Sequence, residues 1–442
     1  MLPGVDAAPV WCTPMAPPMR TVRLTQGIEA SLRGGHPWAF ADAVALPPGL
    51  ADGEVVDLVD TRGEFVARGT IAPRSPLAFR AWSLDPEERV DAALVARRLA
   101  AARALRRELL RDDVTGFRVC HGENDHLPGL QCDLYGDVAS LRTDGALGVA
   151  WEERFVGAVQ QLLKPRAIVV RNPLLQEGEA RVVAGRMAAA PAGGHEGEVV
   201  IEEHGRRFFV DVLRGQKTGF FLDQRENRDR VAQLARGRRV LNTFAYTGGF
   251  SVAAAQGGAA HVTTVDLAAP AVETARRNFA LNGIDTASHA FLAADAFDVL
   301  AELAARMGSR SAVKPAAQPA AGAAARPTAA AIDGLPDQPF DLIVLDPPSF
   351  AHSRKMVPRA EKAYEKLNEL ALRALPPGGW LATASCSSHV READFLDCLT
   401  TAAARAQRHV TLASIAGAAH DHPARLGFPE GRYLKFALLR AT

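Results

Sequence analysis

Nowhere in this chain do roughly 18 apolar residues run together, so no segment reads as a helix able to cross a membrane. The opening stretch, MLPGVDAAPVWCTPMAPPMR, has none of the apolar centre that a secretory signal needs, and a cytoplasmic protein is expected. Cysteine is scarce as well. Cys12, Cys120, Cys132, Cys386 and Cys398 form an odd set with no C-x-x-C pair, which argues against a disulfide framework and against a zinc site. An excess of basic charge is also missing, because 51 Lys and Arg stand against 50 Asp and Glu. A uniform cationic field of the kind that holds nucleic acid is therefore excluded, and any such contact must come from local patches.

What is present is 442 residues with 48% hydrophobic content, enough for two or three cores. Residues 1–19 are Pro-rich and aperiodic and read as a disordered tail, with Met19 as an alternative start. Alternation in EVVDLVD and EFVARGTIA around a Thr61-Arg62-Gly63 turn predicts a small β-rich domain over 20–95. The stretch VDAALVARRLAAARALRRELLR then puts Leu94, Leu99 and Leu105 at helical spacing beside arginines. Those arginines read as a solvated face before they read as an RNA contact. A small α+β domain is expected over 96–205, with strands VASLRT and AIVVRN and a helix near 150–163. From 206 to 442 strand and helix alternate, the pattern of a Rossmann-like α/β domain with a mostly parallel sheet. Its strands are RRVLNTF, HVTTVDL, SHAFLAAD, FDLIVLD and GWLATAS, and an Ala/Pro-rich run at about 308–338 reads as a flexible insertion.

In such a sheet ligands sit beyond the carboxyl ends of the strands. The first strand runs into Asn242, Thr243, Phe244, Tyr246, Thr247 and Gly248, whose small residues permit close approach at a helix start. The second ends at Asp266, positioned for ribose hydroxyls, and the third at Asp295, within reach of an adenine amine. Either acid alone reads as a helix N-cap before it reads as a ligand. Together they point to a nucleoside cofactor, and the absence of a G-x-G-x-x-G turn disfavours a dinucleotide and favours S-adenosylmethionine.

The fourth strand ends in Asp346-Pro347-Pro348-Ser349-Phe350, a rigid turn that aims Asp346 at a planar substrate and offers Phe350 for stacking. The fifth ends at Cys386, with His389 and Arg391 nearby to favour a thiolate. A thiol suits methylation of cytosine at carbon 5: attack at carbon 6 makes carbon 5 enamine-like, and Asp346 holds the ring at N3 and the exocyclic amine. Cys120, Cys132 and Cys398 read as core residues.

GGHPWAF (34–40), LPGLQCDLYGD (127–137), EEHG (202–205), FFVDVLRGQKTGFFLDQRENR (208–228), LNTFAYTGGFS, DPPSF, SCSSH and DHPARLGFPEGRYLK (421–435) make the chain resemble the ribosomal large-subunit cytosine-C5 methyltransferase I family. The likeness runs from about Thr21 to the end. It implies a PUA domain at the N-terminus, S-adenosylmethionine as cofactor, Gln224 and Arg225 close to that cofactor, and Cys386 as nucleophile. It also implies large-subunit rRNA as partner, naked or in an assembly intermediate, and leaves a homodimer open. The Ala/Pro-rich insertion departs from the family, and the motif around Asp346 lacks the second cysteine of another branch. That leaves the group removing the carbon 5 proton unassigned between His389 and a water. Two other readings are a guanine N7 methyltransferase, whose family shares the LDQR and D-P-P features, and a non-catalytic RNA-binding or assembly factor.

Overall fold

The computed structural model describes residues 19–174, 180–311, 332–351 and 353–442. The expected N-terminal tail, apart from Met19, and most of the Ala/Pro-rich insertion lie outside the described residues. Two compact units emerge, Met1–Val90 and Asp91–Thr442.

In the first unit six strands form one mixed sheet, in which Arg20–Leu24 runs parallel to Val55–Val59 and the remaining pairs are antiparallel. Alternation puts Val22, Leu24, Val56, Leu58, Val66 and Phe79 on its buried face.

The second unit begins with the helix Ala92–Leu109, capped by the Asp91 carboxylate accepting from the Leu94 amide at 3.0 Å. Leu94 and Leu99 are buried as the spacing predicts, but Leu105 is 37% exposed. Its arginine face also differs from expectation. Arg106 is wholly buried, forms a bidentate pair with Asp125 at 2.6 and 2.7 Å, and donates to the Asp421 carbonyl at 2.9 Å. A five-stranded sheet follows, with strand order Arg181–Gly185, Ala167–Arg171, Val138–Thr143, Leu130–Tyr135 and Gly116–His121. A hairpin of Glu198–Glu203 and Arg206–Asp211 comes next.

The large sheet has seven strands: β1 (Arg239–Thr243), β2 (His261–Asp266), β3 (Ala290–Ala293), β4 (Leu342–Leu345), β5 (Trp380–Ser385), β6 (Val410–Ala416) and β7 (Lys435–Ala441). Their order is 3-2-1-4-5-7-6, parallel except for β7, which runs antiparallel to both β5 and β6. Five of these strands are the ones the sequence predicts; β6 and β7 went unread. A run such as LIVL in β4 is apolar throughout because helices cover both faces. Leu241, Ile343, Leu345 and Leu381 point into a core shared with the helices Ala296–Ser311, Val357–Ala374 and Glu392–Ala406. Val240, Leu342 and Val344 point the opposite way, toward Val231, Val252 and Phe279 of the helices Arg225–Ala235, Gly249–Gln256 and Ala269–Leu281. The order reverses between β1 and β4, so the ligand crevice of an open α/β sheet falls at their carboxyl ends.

Candidate functional site

A cavity of about 260 Å³ opens there, lined among others by Gln224, Phe244, Tyr246, Thr247, Asp266, Asp295, Asp346, Pro347, Pro348 and Cys386. Residues ending five different strands thus meet in one crevice.

The turn after β1 makes its first wall. Phe244 and Tyr246 adopt left-handed φ values of 54° and 48°, and Gly248 follows at 79°. A side chain at Gly248 would meet the Ala275 Cβ at 2.8 Å, so the glycine answers both to conformation and to close helix packing. Two bulky residues with positive φ cost energy, and such strain gathers at ligand sites. The Asp266 carboxylate holds the turn, accepting from the Tyr246 amide at 2.8 Å and the Ala268 amide at 2.9 Å. Asp295 accepts from the Phe297 amide at 2.7 Å at the start of the next helix and is otherwise exposed. Thr247 Oγ1 is buried without a hydrogen-bond partner. An orphaned hydroxyl and two carboxylates with spare lone pairs fit the hydroxyls and amine of a nucleoside.

Asn242, Thr243 and Gly248 do not line the cavity. Asn242 donates to Ser251 Oγ at 2.9 Å, and Thr243 donates to the Val344 carbonyl at 3.0 Å, which braces β1 against β4. Phe350 is also turned away from the crevice, its ring centred 4.9 Å from that of Tyr364. Arg225 lies wholly enclosed and donates to Asp421 at 2.8 Å and to the Gly116 carbonyl at 3.0 Å. It is a strut between segments, not a cavity residue.

Gln224 Nε2 donates to Asp346 Oδ1 at 2.9 Å. Burial, with the charge of Asp223 adding to it, pushes Asp346 up to about 7. Asp223 itself is held well below the usual carboxylate range. Burial opposes that charge, but Lys217 at 2.7 Å and the Tyr433 hydroxyl at 2.5 Å more than offset it. The Cys386 thiol lies 3.8 Å from the Pro347 carbonyl, in contact with the D-P-P turn. Burial and then Asp346 push it up to about 11, while Lys217 and Lys435 pull the other way.

The sequence reading looked to His389 and Arg391 for those cations, and the structure corrects it. His389 is exposed, and Arg391 is spent on Asp394 at 2.8 and 2.9 Å. Lys217 was missed, and so was Lys435. Antiparallel register sets Lys435 opposite Ser385, one residue before Cys386. Its ammonium donates to the carbonyls of Ser387, Val390 and Tyr433 at 2.7, 2.7 and 2.9 Å and so ties down the loop after β5. Ser387 is held further by Ser349 and Tyr364, each at 3.0 Å. A lysine opening the largely apolar strand KFALLRA was the available signal. Among the described residues, no group of three His, Cys, Asp or Glu is placed to hold a metal, and no helix is long and apolar enough to cross a membrane.

Comparison with known proteins agrees with this architecture. A family model described as S-adenosylmethionine-dependent methyltransferase matches residues 189–316, and a PUA-like domain model matches 22–84. The Ribosomal RNA large subunit methyltransferase I of Aeromonas salmonicida is 34% identical over 429 residues, covering 95% of this chain and 99% of its own. The protein of the same name from Shewanella denitrificans is 35% identical over 428 residues, covering 95% and 98%. A solved chain from Streptococcus mutans, described as a SAM-dependent methyltransferase, overlays with a TM-score of 0.77 at 22% identity, covering 96% of this chain and all of that one. A second solved methyltransferase, complexed with SAH, gives the same TM-score at 21% identity.

Proposed function

Because this chain belongs to the ribosomal RNA large subunit methyltransferase I family, we propose that it forms 5-methylcytosine in large-subunit rRNA through a covalent adduct of Cys386. It is an S-adenosylmethionine-dependent methyltransferase. Asp266, Asp295, Thr247 and Gln224 are the residues that would hold the cofactor, which when bound supplies the methyl group. One observation carries the cytosine reading: a thiol at the end of β5 shares a cavity with the strand-end acids and touches the D-P-P turn. Methylation of a ring nitrogen has no use for a thiol there.

Asp346 supports the same reading. With its carboxyl raised to about 7, the neutral form is populated near neutrality. That form offers one donor and one acceptor, complementary to cytosine N3 and the exocyclic amine. Cys386 gives its proton to a water as the nucleobase engages, and its sulfur bonds to carbon 6 while Asp346 passes its proton to N3. Carbon 5 takes the methyl group and gives up its own proton to a water, and the bond from carbon 6 to the Cys386 sulfur breaks, returning the thiolate as the N3 proton goes back to Asp346.

The test is methylation of deproteinised large-subunit rRNA, read by nucleoside mass spectrometry. Cys386→Ala should make no 5-methylcytosine, and RNA carrying 5-fluorocytosine should trap the wild-type protein covalently. Methylation by Cys386→Ala at an ordinary rate ends the proposal; a methylated guanine in its place assigns the guanine N7 reading. Cofactor binding with no transfer to any RNA assigns the non-catalytic one.

A further inference from the structure

A second concavity, of about 960 Å³, begins where the first ends. Leu434 lines both, and the segment Ser388–Glu392, directly after Cys386, forms one wall of the second. Its charged lining comprises Arg354, Arg391, Arg432 and Lys435 against Glu392 and Glu430, a local positive excess in a chain whose net charge is only +1. Two of those cations are occupied: Arg391 by Asp394, and Lys435 by three carbonyls. Arg354 and Arg432 are exposed and have no ion-pair partner among the described residues. Gly417 and Gly431 also line it, the latter packed against Asn124.

We propose that this groove seats the phosphodiester backbone of the RNA strand flanking the target nucleotide, with Arg354 and Arg432 gripping its phosphates. The proposal rests on the reading of the protein as an RNA methyltransferase. Free guanidiniums take phosphate oxygens in a fork-like, bidentate manner. Such contacts set the register of a strand without reading its sequence, which is what a base delivered to Cys386 needs. A small anionic metabolite would not require a groove of about 960 Å³ that meets the thiol's cavity at Leu434. The charge sits where the strand must pass, so a near-neutral protein can bind RNA without a global field.

Binding of deproteinised large-subunit rRNA to the full-length Arg354→Glu/Arg432→Glu variant tests this, by filter assay across a salt series. Affinity should fall roughly tenfold or more at low salt, and the slope of log K against log salt should flatten by about 1.4, near 0.7 for each lost single-strand contact. Arg432→Gln alone should flatten it by about 0.7. S-adenosylmethionine affinity by calorimetry should be unchanged, which also reports an intact fold. Arg236→Glu, an exposed substitution before the amino end of β1, should match the wild type. Unchanged affinity and slope in both groove variants overturn the proposal while leaving the function standing. A wild-type protein that neither binds nor methylates rRNA sinks both.

Discussion

The resting state of Cys386 is open to a direct titration. Its thiol is pushed up to about 11 against an ordinary 9.0, so the thiolate is about a hundredfold rarer than for an unperturbed cysteine, a penalty of about 3 kcal/mol. At pH 8 roughly one molecule in a thousand carries it. Only the thiolate reacts with iodoacetamide. Alkylation followed by mass spectrometry of the Cys386 peptide should therefore climb tenfold per pH unit from 7 to beyond 10 without levelling. Cys120, Cys132 and Cys398 are buried and should lag behind. Asp346 is the largest charged contributor, so Asp346→Asn should move the rise to lower pH, and Lys217→Met should move it higher. A plateau below pH 9, or an Asp346→Asn profile superimposable on the wild type, would refute the account. The enzyme at rest would then be an armed nucleophile and not one armed by its substrate.

Three further outcomes follow from the same contacts. Asp346 has a folded-state value of about 7 against an ordinary 3.8, so folding favours its protonated form. Its contribution is intact below about 4 and is lost as pH rises through 7. Asp346→Asn should accordingly stabilise the unliganded protein at pH 8, by on the order of 4 kcal/mol in chemical denaturation, while abolishing methyl transfer; a destabilised variant contradicts this. Asp421→Ala removes the only carboxylate hydrogen-bonded to the enclosed Arg225 among the described residues, leaving Glu226 and Glu203 at 3.8 and 4.0 Å, and should cost about 3–5 kcal/mol. That corresponds to a melting point about 4–7 °C lower for a unit of about 350 residues, much of it regained in Arg225→Met/Asp421→Ala; purely additive losses would count against charge pairing. Lys435→Met removes three donors from the loop after β5 and should lower kcat at least about tenfold with cofactor affinity unchanged, whereas an unaffected kcat would make the lysine a bystander.

The legible parts of this molecule were those where periodicity and strand ends carry the information. LIVL and its neighbours announce a doubly covered sheet, and Asp266, Asp295, Asp346 and Cys386 stand where such a sheet presents ligand groups. What stayed hidden depends on pairing between distant segments. Nothing in RRLAAARALRRELL distinguishes Arg106, which reaches a carbonyl more than 300 positions away, from a solvated arginine. Gln224 and Arg225 are adjacent in one motif, yet the roughly 100° between neighbouring helical residues sends the first into the crevice and the second into the interior. Phe350 looked like a stacking platform because its neighbours face the cavity; rotation past the two prolines lays it on Tyr364 instead. Lys435 was missed because only the antiparallel register of β7 brings it beside the Cys386 loop.

That reversed strand also imposes a timetable. Synthesis delivers the polypeptide from its amino end, and β7 must slot between β5 and β6 after both have been made. Until β7 leaves the ribosome, the thiol-bearing loop lacks the amine that anchors it. Each molecule can therefore become competent only once β7 has been made and paired, and a product cut just before β7 would keep every strand-end acid and the cysteine while losing the post that holds them in working order.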